Sequence, residues 1–198
     1  MIVRRCLRRS IVGALGILAM AACTSMSPEA ATSAVPSPSA FLGRLRPADL
    51  GREFEAAQLV TVSRDTKSFV VDVRLSVRAD RLMLVAQDML GQRLLTVMWT
   101  DTGIVEERSP NLPAAVSPVG LLADLVAICG PEDAVRRALE QSGARLLVQD
   151  GQRIIVSGGE ETMRATLGWQ SGARWTGRMS YRNVRAGYSV EVQSVEQS

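Results

Sequence analysis

Between residues 68 and 78 the chain alternates. Phe69, Val71, Val73, Leu75 and Val77 fall on one side of a period-2 pattern. Ser68, Asp72, Arg74, Ser76 and Arg78 fall on the other, with Val70 the apolar exception. That period predicts a strand with one buried face. Residues 54–62 alternate more loosely and read as the strand before it. Ala79-Asp80 makes a tight turn into a strand at 81–87, and Asp88-Met89-Leu90-Gly91 turns the chain into another at 93–99. Asp101-Thr102-Gly103, with Gly103 suited to positive φ, leads into a strand at 104–108. These are consecutive antiparallel hairpins.

The period then changes. Pro110, Pro113 and Pro118 mark a loop, and Ser117-Pro118 has the form of a helix start, a cap followed by proline at the first position. Residues 119–129 carry one ionisable group, Asp124. Leu121, Leu122, Leu125, Ile128 and Cys129 recur at helical spacing, and Val126 widens the stripe. Gly130-Pro131 ends this helix and opens a second. Glu132 and Asp133 suit its positive end, Arg136 and Arg137 lie further along, and Gly143 closes it. Strands return at 145–149 and 152–157 around Asp150-Gly151, then near 162–170, 174–181 and 187–195, with no repeat of fixed period.

One helical insertion in a run of hairpins does not make βαβ crossovers. The expected fold is mainly antiparallel β, a curved sheet with two central helices on its concave face. Residues 82–86 and 94–99 are apolar on both faces. That fits either a sheet partly covered on both sides or an interior cavity.

The first forty residues follow different rules. Arg4, Arg5, Arg8 and Arg9 precede an apolar run at 11–20, small residues Ala21 and Ala22 follow, and then Cys23. This is the order of a secretory signal, and the apolar run is too short for a spanning helix, which needs ~20 residues. Met20-Ala21-Ala22-Cys23 resembles a lipobox, so residues 1–22 are expected to be a lipoprotein signal peptide, with Cys23 as the lipid-attachment residue. An ordinary signal peptide with an incidental cysteine is the alternative. Residues 24–40 are mostly Ser, Thr, Ala and Pro and read, with Cys23, as a lipidated tether over 23–40. Its seventeen residues after the cysteine reach at most roughly 55 Å at ~3.3 Å each. Residues 41–198 remain as a single domain.

Charge and composition narrow the chemistry. The 198-residue chain is 46% hydrophobic and 22% charged, enough to bury a core. Its formal charge of +3 points towards nucleic acid, but the four arginines ahead of residue 10 belong to the signal. Without residues 1–22 there are 19 basic residues against 20 acidic ones, a balance of −1. Aromatics are only 4%, against base-stacking platforms. No nucleic-acid partner is expected. The chain has no histidine, which removes histidine-dependent nucleophile arrangements, His-ligated metal and histidine general-base chemistry. Asp72, Asp88, Asp101 and Asp150 show no spacing that pairs them, and no nucleophile motif is present. The chain is expected not to be an enzyme and to need no cofactor or metal. Cys6 leaves with the signal, and Cys129 remains as a lone thiol in an apolar run, expected to be buried and structural.

Four blocks carry a family resemblance: Gln58-Leu59-Val60-Thr61, Leu90-Gly91-Gln92-Arg93-Leu94-Leu95-Thr96, Leu121-Leu122-Ala123-Asp124-Leu125 and Gly187-Tyr188-Ser189-Val190. In this order, behind a lipobox, they resemble an uncharacterised family of Gram-negative outer-membrane lipoproteins grouped with the LolA and LolB fold. The hairpin at 81–97 is similar to the central hairpin of the lipoprotein receptor LolB. The resemblance implies an incomplete, half-open β-barrel whose helices plug an apolar cavity for acyl chains. It implies a diacylglycerol and a further chain such as palmitate on Cys23, and, with Thr24 rather than Asp after it, the outer membrane, facing the periplasm. Implied partners are that membrane anchor, a lipoprotein or acyl-chain cargo, and a LolA-like periplasmic carrier. A specialised lipid or polyene product is an alternative cargo.

The resemblance also assigns residues. A leucine at the hairpin tip enters the membrane in the receptor, and the matching position is Leu90, with Met89 where the receptor has proline. Large apolar side chains at a turn suggest a membrane contact, since burying either recovers ~1.5–3 kcal/mol. The alternative is that both fold under the sheet edge. Leu121, Leu122, Leu125 and Ile128 are the expected cavity or lid face of the first long helix, against the alternative of a plain core helix. Asp124 is expected to face solvent rather than to act as a hinge contact. Arg174, Arg178, Arg182 and Arg185 are expected on a solvated strand edge, with anionic headgroups the minority reading. The expected function is binding acyl chains and helping to place lipoproteins or a specialised lipid in the outer membrane. The alternative is a non-transporting accessory lipoprotein that docks a periplasmic partner through its sheet, which a cavity too small for an acyl chain would favour.

Overall fold

The alternating segments assemble into one antiparallel sheet in the computed structural model, which describes residues 37–114, 116–170 and 173–197. The first half is a meander: β1 (Phe54–Arg64), β2 (Lys67–Val77), β3 (Arg81–Gln87), β4 (Arg93–Thr100) and β5 (Gly103–Arg108). The helices α2 (Pro118–Cys129) and α3 (Glu132–Glu140) follow. A second meander closes the chain: β6 (Ala144–Gln149), β7 (Gln152–Ser157), β8 (Glu160–Gln170), β9 (Ala173–Asn183) and β10 (Tyr188–Gln197). The ten strands are ordered β5-β4-β3-β2-β1-β10-β9-β8-β7-β6. The two meanders therefore join at one long-range seam, β1 against β10, with Val60 opposite Val192 and Val62 opposite Val190. The outer strands β5 and β6 are not paired with each other, so the sheet does not close. This is the open antiparallel sheet with central helices that the pattern predicts.

Period 2 decides the two faces. On β2, Val71, Val73, Leu75 and Val77 are buried, and on β3 so are Leu82, Leu84 and Ala86. The exterior is not covered: Met83, the alternate residue on β3, is exposed, as are Met98 and Val105 opposite it on β4 and β5. The two-faced apolar segments thus border an interior space rather than a doubly covered sheet.

The helices fill the inner face. Ser117 caps α2, its Oγ accepting the N–H of Gly120 at 3.1 Å, and Pro118 takes the first position. The α2 helix, apolar but for Asp124, is buried on nearly every side, against β4, β5 and a short helix at Pro38–Leu42. Its C-terminal carbonyls are held by a buried arginine of β7: Arg153 Nη1 donates to the carbonyls of Ala127 (3.2 Å), Ile128 (2.7 Å) and Gly130 (2.8 Å). A cation at the negative end of a helix is the favourable arrangement.

Two features differ from the sequence reading. A short helix α1 (Pro38–Leu42), with Ser37 as its cap, begins inside the stretch read as tether, and it buries Phe41 and Leu42. One turn carries too little period to be seen in a Ser/Pro/Ala background. Two of the four arginines expected at a strand edge are not at one. Arg178 and Arg182 lie on the exterior of a strand paired on both sides, by β8 and β10. Alternation shows the face of a strand but not its neighbours. Among the described residues no helix is long and apolar enough to cross a membrane; residues 1–36, including Cys23, lie outside them.

Candidate functional site

Each strand reverses the last, so the turns at 65–66, 88–92, 158–159 and 184–187 all lie at one end of the sheet, beside the loop that leads into α2. Between this end, the inner face and the helices is a cavity of about 940 Å³. That is at the top of the ~300–1,000 Å³ range of small-molecule sites. Its walls are chiefly aliphatic, with Val60, Val71, Leu84, Val190 and Leu125 among them. The mouth lies at the turn end, where exposed Asp65, Lys67 and Arg185 line it and α1 contributes Pro38 and Phe41.

The predicted stripe on α2 divides. Leu121 and Leu125 line the cavity, while Leu122 and Ile128 are buried in the core and do not. The physical reason is that α2 has two apolar sides, one to the cavity and one to its packing neighbours, and helical spacing alone does not distinguish them.

Asp124 corrects the sequence reading most sharply. It is 8% exposed, lines the cavity, and does not face solvent. Asn183 Nδ2 donates to its two oxygens at 3.3 and 3.1 Å, and the Tyr188 hydroxyl donates to Oδ2. Asn183 Oδ1 in turn accepts the N–H of Ala186 at 2.9 Å, which shapes the β9–β10 turn. Burial pushes the Asp124 carboxyl up to about 6, against the pull of these hydrogen bonds. The same burial, with the nearby carboxylate, pushes the Tyr188 and Tyr181 phenols up, so both stay protonated donors. Arg64 completes the group: its Nη2 donates to the Ala186 carbonyl and its guanidinium lies 5.9 Å from the Tyr188 ring centre.

Met89 and Leu90 stand clear of the sheet at 66% and 84% exposure, on the same end as the cavity mouth. Asp88 fixes that turn. Its Oδ1 accepts the N–H groups of Leu90 and Gln92, both at 2.9 Å, and Gly91 takes φ +80°. Cys129 is buried, 3.5 Å from the Met179 sulfur, and burial pushes its thiol up, away from reactivity. Among the described residues no three of His, Cys, Asp and Glu gather as a metal site.

Sequence reasoning gave no role to Arg64, Asn183 or Tyr188, although Tyr188 stands in one of the resemblance blocks. A signal for Arg64 existed: it ends the inward series Gln58, Val60, Val62 on β1. Asn183 carried none, since its contact with Asp124 joins positions 59 residues apart.

Residues 55–196 match the family described as Protein of unknown function (DUF3261). The chain belongs to that family. No curated protein sequence matches it. Among solved structures, a DUF1329 family protein from Desulfovibrio piger aligns with 6% identity and a TM-score of 0.39, covering 81% of this chain and 91% of its own. A domain from Vibrio parahaemolyticus, carrying the description outer membrane lipoprotein-sorting protein, aligns with 13% identity and a TM-score of 0.38, covering 76% of this chain and 88% of its own.

Proposed function

We propose that this DUF3261 protein is an outer-membrane lipoprotein, anchored by acyl chains on Cys23 and facing the periplasm. It takes the apolar chain of a lipoprotein, or of a specialised lipid or polyene product, into its cavity and helps place that cargo in the membrane. The observation that carries the reading is the cavity of about 940 Å³, whose mouth opens at the same end as the exposed Leu90. An apolar tip beside an apolar mouth gives a chain leaving the bilayer a short path out of water. The resemblance to LolA and LolB supports the same cycle: receipt from a periplasmic LolA-like carrier, then release without catalysis. Met89 and Leu90 are the insertion tip, and Leu121 and Leu125 the part of the helix that meets the chain.

A second reading, docking of a periplasmic partner on the sheet exterior, has one observation in its favour: exposed Met83, Met98 and Val105 lie directly opposite one another on β3, β4 and β5. The volume of the cavity favours the first. The test is mass spectrometry of the full chain released from membranes. A co-purifying apolar chain beyond the anchor supports uptake. Its consistent absence, with no uptake of added fatty acid, overturns the transport reading in favour of the accessory one.

A further inference from the structure

The inward columns of the two middle strands change character towards the mouth. On β1 the cavity-lining positions run Gln58, Val60, Val62, Arg64, and on β2 they run Val73, Val71, Phe69, Lys67. Past the buried Gln58, both columns pass from apolar to cationic as they reach the rim. Arg64 and Lys67 are direct cross-strand partners, so the two cations share the inner face. Like charges set opposite each other cost stability, and among the described residues neither has an ion-pair partner. Arg185 adds a third cation from the adjoining turn, beside the Ala186 carbonyl that Arg64 holds. Two carboxylates line the same space. Asp65 is exposed in the β1–β2 turn, and the oxygens of Asp124 are taken by Asn183 and Tyr188.

We infer that the cavity selects an anionic amphiphile, its apolar chain inside and its carboxylate or phosphate head held at the mouth by Arg64, Lys67 and Arg185. The inference rests on the uptake reading above and names the class of cargo. Apolar burial is non-directional and retains any chain that fits. A few placed polar groups fix orientation and choice. Arg64 is already set for this: its stacking on Tyr188 and its bond to Ala186 fix the guanidinium, and a guanidinium matches the oxygens of a carboxylate or phosphate in pairs. A neutral head gains no such contact, and a cationic head meets like charge.

The test compares chains of equal length on the full-length protein in phosphatidylcholine nanodiscs, with empty discs as reference. Palmitate, hexadecanol and hexadecyltrimethylammonium compete for a neutral apolar fluorophore at neutral pH. Palmitate is expected to displace it at a concentration about tenfold below hexadecanol, one charge-assisted contact's worth, with the cationic chain weakest and acetate inert. High salt narrows the gap, and the combined Arg64→Gln, Lys67→Gln and Arg185→Gln variant brings the palmitate-to-hexadecanol ratio near one. Equal displacement by palmitate and hexadecanol in the unaltered protein overturns the inference while leaving uptake intact. So does a preference that is insensitive to salt, or displacement by acetate as by palmitate. If no chain displaces the probe, the uptake reading falls and this inference with it.

Discussion

Asn183 Nδ2 lies 3.1 Å from Asp124 Oδ2, and with the Tyr188 hydroxyl on the same oxygen it ties the middle of α2 to the turn between β9 and β10. Around it the contacts of α2 are with apolar side chains, which hold a helix without fixing its register. The polar cluster does fix it, and it sits at the mouth side of the cavity. At the other end Arg153 pins the last carbonyls of α2. The helix that covers the cavity is thus clamped at its C-terminus and latched near its middle.

The latch is pH-sensitive. The folded Asp124 carboxyl titrates at about 6 against 3.8 for an ordinary one, so between these values the folded chain binds more protons than the unfolded chain. Stability from this group therefore falls as pH rises from about 4 to about 6 and is level above that, a change of about 3 kcal/mol at most. Denaturant unfolding across this range is expected to show that slope, superposed on the other carboxylates. In Asp124→Asn, which keeps one acceptor for Tyr188 and Asn183, the slope lessens and neutral-pH stability does not drop. Asp124→Ala strands both donors and loses about 1–3 kcal/mol for each. An Asp124→Asn protein with the unaltered pH slope would remove this assignment.

Arg153→Met is expected to destabilise the protein by about 3–5 kcal/mol, since it leaves three buried carbonyls of the α2 terminus without their donor. Hydrogen exchange gives the location: protection is lost first in α2 and α3. Uniform loss across the sheet, with α2 no worse than β1, contradicts the capping role.

Much of this fold was legible because alternation and turn chemistry act locally. Val71 to Val77 shows its buried side in any context, although Phe69, on the same face, is exposed at the rim, and Ser117-Pro118 caps a helix whatever lies above it. The seam between β1 and β10 was not, because pairing Val60 with Val192 is a choice among distant edges that no local pattern encodes. The same limit hid the site. Asp124 reads as a solvent-facing residue because it is the lone charge on an apolar helix, yet the two donors that make its burial tolerable stand 59 and 64 residues later. Tyr188 was visible as part of a family block, but its partner was not. Asp88 to Gly91 marked the turn, but only the resemblance singled out Leu90, and local pattern left open whether it folds under the sheet edge; its exposure is a finding of the structure.

Filling the cavity separates uptake from packing. Ala86 is buried on β3 and lines the space. A larger side chain there extends into vacant volume, so Ala86→Trp is expected to fold with a stability change under about 1.5 kcal/mol, less than overpacking a full core costs. Its uptake of a neutral apolar fluorophore is expected to fall roughly tenfold, about 1.4 kcal/mol. Undiminished uptake by a folded Ala86→Trp protein means that chains bind somewhere other than this cavity.

The exposed tip of the β3–β4 turn gives the complementary separation. Leu90 is 84% exposed, and its turn is held by backbone N–H groups on Asp88. Leu90→Glu therefore leaves stability within about 0.5 kcal/mol, as for other exposed positions. Delivery to vesicles is a different matter, because a leucine entering the bilayer gains ~1.5–3 kcal/mol and a glutamate does not. Transfer of a fluorescent fatty acid from the loaded protein to phosphatidylcholine vesicles is expected to slow roughly 10- to 100-fold. Leu90→Met restores it, and uptake by the cavity is unaltered in both. Asp88→Ala, which frees the turn but keeps the leucine, falls between them. If Leu90→Glu delivers at the normal rate, the tip has no part in transfer and the route between cavity and bilayer runs over another part of the rim.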